Sequence, residues 1–135
     1  MKKQFINLIV VIITAVLLSP SLSFGQNIGK TKVYSGKAKF LMTEINFDNF
    51  KAHENCAGLI MFENVSKKTL RVAAVTKDLG NVAVSLKSQN IKPHQKGILT
   101  YTLINPSPGE LQSTSLIFFK EFNDPVKITI SGNFL

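Results

Sequence analysis

The chain has 135 residues, enough for one domain of ordinary size, and 44% are hydrophobic, which argues against an intrinsically disordered chain. Its 16 Lys+Arg against 8 Asp+Glu give a formal charge of +8, an excess that can draw anionic partners. One Cys and no Trp exclude a disulfide scaffold and any zinc site built on several thiolates.

Lys2 and Lys3 precede an apolar run from Phe5 to Leu18, interrupted only by Asn7 and Thr14. Ser19, Pro20, Ser21, Leu22, Ser23, Phe24 and Gly25 follow. A basic start, a short apolar core and a polar, helix-breaking exit predict a signal peptide helix over residues 1–25. The run is shorter than the roughly 20 apolar residues a spanning helix needs. Ser23 and Gly25 are the small residues expected three and one positions before a cut, so cleavage is expected between Gly25 and Gln26. A cut after Ser23, using Ser21 and Ser23, is the second choice. No Cys lies near the exit for a lipid anchor, and no stable membrane anchor is expected after cleavage. Removal leaves 135 − 25 = 110 residues and, without the two leader lysines, 14 − 8 = +6 charges. The folded part is expected to be exported, to the periplasm or the cell exterior.

Residues 26–36 read as a flexible lead-in or a short edge strand, and residues 37–135 as one domain. Within it, apolar and polar residues alternate at period two, and no helical period is sustained. Val82, Val84 and Leu86 alternate with Ala83, Ser85 and Lys87; Leu99, Tyr101 and Leu103 alternate with Thr100 and Thr102; Val126, Ile128 and Ile130 alternate with Lys127 and Thr129. Strands are predicted near 38–46, 58–64, 69–75, 82–87, 97–104, 111–119 and 126–134. Turn-forming clusters separate them, including Asn64 to Lys68, Asp78 to Asn81, Asn105 to Gly109 and Asn123 to Pro125. The pattern predicts an all-β domain, a seven-stranded immunoglobulin-like antiparallel β-sandwich. A small barrel is the competing closure.

From Ile45 onward the chain resembles the bacterial family known as domain of unknown function 1573, an Ig-like sandwich related to Hydin and PapD-like modules. Four segments carry the resemblance: Asn46 to Phe50, Phe62 to Val72, Ile91 to Leu99, and Ile128 to Gly132. In the third, Ile91-Lys92-Pro93-His94 stands where the family has Ile-x-Pro-Gly, so His94 replaces a turn glycine. Thr76-Lys77-Asp78-Leu79 stands where many members carry paired cysteines, so this chain is a divergent member whose resemblance implies no thiol chemistry. Local chemistry accounts for the shared positions. Asn64 can cap its own turn through its amide, Pro93 pre-sets a turn, and Gly97 and Gly132 allow close backbone approach.

The sharpest cluster of reactive side chains is His53, Glu54 and Cys56. His-x-x-Cys could give two metal ligands or a thiolate, but zinc needs three or four protein ligands and the only other histidine is His94. No phosphate loop, nucleophile elbow or metal helix is present. No catalytic, metal or cofactor-binding residues are therefore expected, and an enzyme would require His53, Cys56 or His94 to converge with a carboxylate. Cys56, unpaired in an exported protein, can form an intermolecular disulfide and hence a Cys56-linked dimer.

Lys30, Lys32, Lys37 and Lys39, and the trio Lys67, Lys68 and Arg71, are read as strand-edge charges that discourage sheet-to-sheet aggregation. Nucleic acid is not expected as a partner. Asn64-Val65-Ser66 matches a glycosylation pattern but reads as a turn. The function expected is a non-enzymatic Ig-like module of the bacterial cell envelope that binds or scaffolds another protein. Strand addition at an edge within Lys30 to Phe40 would provide the contact. The alternative is carbohydrate or surface-polymer binding on an exposed aromatic platform drawn from Tyr34, Tyr101 and the phenylalanines, such as one ring of Phe118-Phe119.

Overall fold

A computed structural model of the chain describes residues 23–28 and 30–135. The leader expected over residues 1–25 lies outside this range except for its last three residues. In chain order the strands are β1 (Ser23–Phe24), β2 (Gln26–Ile28), β3 (Lys32–Tyr34), β4 (Ala38–Phe40), β5 (Glu44–Asn46), β6 (Cys56–Asn64), β7 (Leu70–Lys77), β8 (Val82–Leu86), β9 (Asn90–Ile91), β10 (Lys96–Leu103), β11 (Gly109–Phe119) and β12 (Val126–Phe134). One sheet runs β3-β4-β6-β10-β8, with β1 alongside β6; the other runs β2-β5-β12-β11-β7-β9. Most pairs are antiparallel, while β5 with β12 and β1 with β6 are parallel. The fold is the all-β Ig-like sandwich that the alternation predicts.

The segment 38–46, expected as one strand, is two. Phe40 and Ile45 are both fully buried, yet they stand an odd number of residues apart. A single strand would aim them at opposite faces. The chain instead leaves the first sheet after Phe40, exposes Leu41 and Met42 in crossing, and enters the second sheet at Glu44. β9 is absent from the sequence reading because two residues carry no alternation.

Inward-facing side chains fill the space between the sheets. At one end, Phe40 stacks on Phe62 at 4.8 Å, and Phe119 meets Phe62 edge-on at 5.5 Å. At the other, Phe47 meets Phe50 and Phe134. Between them lie Ile60, Leu99, Ile117, Ile128 and Ile130. Tyr101 of β10 spans this core, its hydroxyl 3.0 Å from the Ser115 hydroxyl of β11, which in turn donates to the Thr76 carbonyl. One hydrogen-bond chain thus joins the sheets through an apolar interior, where an unpaired hydroxyl would be costly. Gly97 sits opposite Phe62 in register, and a Cβ there would lie 2.3 Å from the ring.

Asn64, fully buried, closes the Phe62 end. Its amide Nδ2 donates to the carbonyls of Lys68 and Ile91, and its Oδ1 accepts from the Ser66 N–H and hydroxyl. The cap expected from sequence is therefore real and extends to β9. It also occupies the nitrogen that glycosylation would need.

Candidate functional site

The histidines and the cysteine do not meet. His53 has a left-handed backbone (φ 64); its N–H donates to the Pro106 carbonyl and its Nδ1 lies 3.0 Å from Asn105 Oδ1. These contacts tie the loop before β6 to the loop after β10. Cys56 begins β6, and burial pushes its thiol up to about 12, so it stays protonated at neutral pH. His94 belongs to the other end of that strand, where its N–H donates to the Asn64 carbonyl. Cys56 and Asn64 mark the two ends of β6, separated by about 26 Å of extended chain. A cavity of about 290 Å³ adjoins Cys56, lined by Asn49, Phe50, Lys51, Glu54 and Asn55, and no hydrogen bond joins Glu54 to the thiol. Among the described residues no three of His, Cys, Asp and Glu gather as a metal site.

The charged side chains form scattered local contacts. Arg71 Nε donates to Glu121 Oε2 at 2.8 Å and its N–H to Oε1 at 2.6 Å. Burial raises the Glu121 carboxyl, but these bonds outweigh it and leave the group below its ordinary value. The Ser113 hydroxyl and Thr114 N–H hold Asp78 low in the same way. Lys37 donates to the Glu121 carbonyl, and Lys32 lies over the Tyr34 ring at 4.9 Å. The trio of Lys67, Lys68 and Arg71 is thus no uncommitted anion cradle, because its guanidinium is already paired.

An aromatic platform is not assembled among the described residues. Tyr101 and Phe119 are core, Tyr34 and Phe118 are half-buried, and the exposed large apolar side chains are Val33, Leu41, Met42, Ile104 and Leu135.

The sandwich has two flanks, and they differ. On one, the Leu41 to Thr43 crossing joins the sheets, and β1 and β2 pass from β6 to β5 with Gly25 between them. The edge strand β3 lies on this flank, within the segment expected from sequence to be an edge, but it is three residues long and carries Lys32. On the other flank, the first sheet ends at β8 and the second at β7, with β9 covering only Leu70 and Arg71. Beyond those two residues, β7 pairs only with β11 among the described residues.

The two edges border a cleft of about 340 Å³ lined by Val72, Ala73, Ala74, Val75, Val84 and Leu86 together with the polar Lys77 and Gln89. At one end the Val72 N–H donates to the Gln89 carbonyl; at the other Lys77 Nζ donates to the Val82 carbonyl. Between these two ties, the strand Ala73 to Thr76 is long enough for an extended segment of about four residues. The small Ala73 and Ala74 side chains leave the backbone reachable, and Lys77 and Lys87 add positive charge at the rim. The sequence did not mark this site, because edge status depends on which strands the chain later leaves unpaired.

This architecture, two sheets packed around an apolar interior, places the chain in the class of Ig-like β-sandwiches. Within that class it belongs to the family described as protein of unknown function (DUF1573), whose model matches residues 38–134. Among solved structures it is similar to a protein of unknown function from Porphyromonas gingivalis W83, at 13% identity and TM-score 0.62, covering 75% of this chain and 49% of that one. It is also similar to the ASH / PapD-like domain 7 of human CEP192, at 11% identity and TM-score 0.55, covering 82% and 94%. A family 123 glycoside hydrolase from Clostridium perfringens matches at 12% identity and TM-score 0.57, covering 70% and 23%. The chain thus spans about half of the Porphyromonas protein and about a quarter of the hydrolase, and the likeness is one of fold. No curated protein matches the chain.

Proposed function

We propose that this chain is an exported, non-enzymatic module of the bacterial cell envelope that holds another protein by strand addition on the open flank. The observation that carries the reading is the pair of uncovered edges, β7 and β8, around a cleft that mixes small apolar side chains with polar surface. A backbone edge gives affinity to any extended segment, and pockets for alternate side chains give selectivity. Ala73, Ala74 and Val84 favour small-to-medium apolar residues facing the cleft, and Lys77 and Lys87 favour acidic residues beside them. The edge expected at Lys30 to Phe40 is the weaker candidate, since β3 is short and lysine-guarded. The placement of Cys56 and His94 at opposite ends of β6, with the His53 ring nitrogen engaged by Asn105, supports a binding role over catalysis.

The test is capture from the envelope fraction by cross-linking, comparing the unaltered chain with Ala74→Glu and Val33→Glu. A partner that is lost with Ala74→Glu and kept with Val33→Glu supports the reading. Recovery of the monomer alone, or loss only with Val33→Glu, counts against it.

A further inference from the structure

On the covered flank the chain supplies its own added strand. β1 lies parallel to the start of β6, with Ser23 opposite Cys56 and Phe24 opposite Ala57. The Gly25 N–H donates to the Ala57 carbonyl at 2.7 Å, so the Ala57 backbone faces this edge. Gly25 is fitted closely. A Cβ added to it would lie 2.6 Å from the Phe47 ring and 2.8 Å from Ile45 Cγ2. The same Ile45 methyl would meet a Cβ on Gly58 at 2.5 Å, so it is wedged against both glycines. Ile45 and Phe47 are fully buried beneath this seat.

The sequence places the leader cut between Gly25 and Gln26, which would remove β1 and Gly25 together. The processed chain would then have an unpaired Ala57 carbonyl and amide, with Ile45 and Phe47 losing the cover of Gly25. Phe-Gly occurs nowhere else in the chain. Of the other bulky apolar residues before a glycine, Ile28 is held in β2 against β5 and Leu79 lies in the turn between β7 and β8, so a folded second copy has no free extended equivalent to offer. We propose that, in the processed chain, the β6 edge at Cys56 to Gly58 accepts an extended segment of another protein in parallel register. That segment carries a bulky apolar residue where Phe24 lies and glycine where Gly25 lies. The proposal rests on the export reading and adds a second strand-addition seat, with a sequence requirement of its own.

The experiment has two arms. Intact mass of the chain recovered from the envelope reports the cut. A start at Gln26 is expected, whereas retention of Phe24 and Gly25, from a cut after Ser23 or further upstream, overturns this proposal and leaves export standing. An uncut chain overturns both. In the second arm, amide exchange at Ala57 and Leu59 of the processed chain is followed with a peptide of residues 21–25 and with the same peptide carrying Gly25→Val. The glycine peptide should slow exchange at Ala57, and the valine peptide should bind more than about tenfold more weakly, because the seat has no room for its side chain. Equal effects of the two peptides, or no protection from either, overturn the proposal. In the uncut chain, Gly25→Val should speed exchange at Ala57, a readout independent of peptide affinity.

Discussion

The chain crosses between the sheets on both flanks, but on the covered flank β1 and β2 lie against the edges, whereas the open flank leaves the edges of β7 and β8 side by side. The difference shows where this fold invests its tight packing. On the covered side, Ile45 and Phe47 sit beneath Gly25, and Ile45 also presses on Gly58, so a Cβ on either glycine would force these buried side chains to shift. On the open side, Ala73, Ala74, Val84 and Leu86 line a cleft with room to spare. While residues 23–25 are in place, the covered flank should therefore carry stability; the open flank is free to bind without any cut.

The sharpest contrast comes from truncation. Ile45→Ala removes a fully buried side chain from a seat that cannot collapse around two glycines, and should cost about 2–5 kcal/mol. Val84→Ala, half-buried at the cleft, should cost less than about 1 kcal/mol. Urea unfolding of both variants checks this, and similar losses would erase the distinction between the flanks.

Asn64→Ala should come next, at about 2–3 kcal/mol, because it strands the Lys68 and Ile91 carbonyls and the Ser66 donors together. The residue serves both flanks. Its neighbour Val65 donates to the Lys37 carbonyl just before β4, while its own amide holds β9. Amide exchange should rise at β4 and at β9 in this variant. A rise confined to one flank would show that the two ends are held separately.

The core between the flanks should reveal itself in alkali. Burial raises Cys56 from 9.0 to about 12; it also raises Tyr101 from 10.0 to about 12, partly offset by the Ser115 hydrogen bond. Both groups are neutral when protonated, and their folded values lie above the unfolded ones. Their contribution is full below about pH 9 and is lost as pH rises toward 12. Tm should hold steady from neutral pH to about 9 and then fall, and the combined Cys56→Ala and Tyr101→Phe variant should fall less steeply. Asp78 and Glu121 behave oppositely, since their carboxyls are held low. Their smaller contribution exists above the unfolded values and disappears as pH falls through the folded ones.

How much of this could be read from sequence depends on how local each feature is. Alternation identified the strands because burial on one face is written residue by residue, as in Leu99, Tyr101 and Leu103. The break within 38–46 was present in the odd spacing of Phe40 and Ile45 but needed knowledge that both are core. The open flank was not legible at all. Ala73, Ala74 and Val84 carry the same pattern as strands that are covered, and only the path of the whole chain leaves them at an edge. Pairing of β1 with β6 was hidden for a different reason, since the leader reading drew the domain boundary across it.

His94 is the position where sequence and backbone agree most directly, and it yields the smallest of these effects. The turn 92–95 carries the chain from β9 in one sheet to β10 in the other, along the open flank. His94 holds φ at 65, where a side chain costs about 1–2 kcal/mol, and its imidazole is exposed. Glycine relieves that strain but adds about 0.4–1 kcal/mol of unfolded-chain entropy. The first term is larger, so His94→Gly should stabilise the domain by about 0.5–1 kcal/mol, measured as a higher urea midpoint with an unchanged slope. A neutral or lower midpoint would mean that the histidine side chain contributes to the turn. The turn that bounds the open flank would then be built for more than backbone geometry.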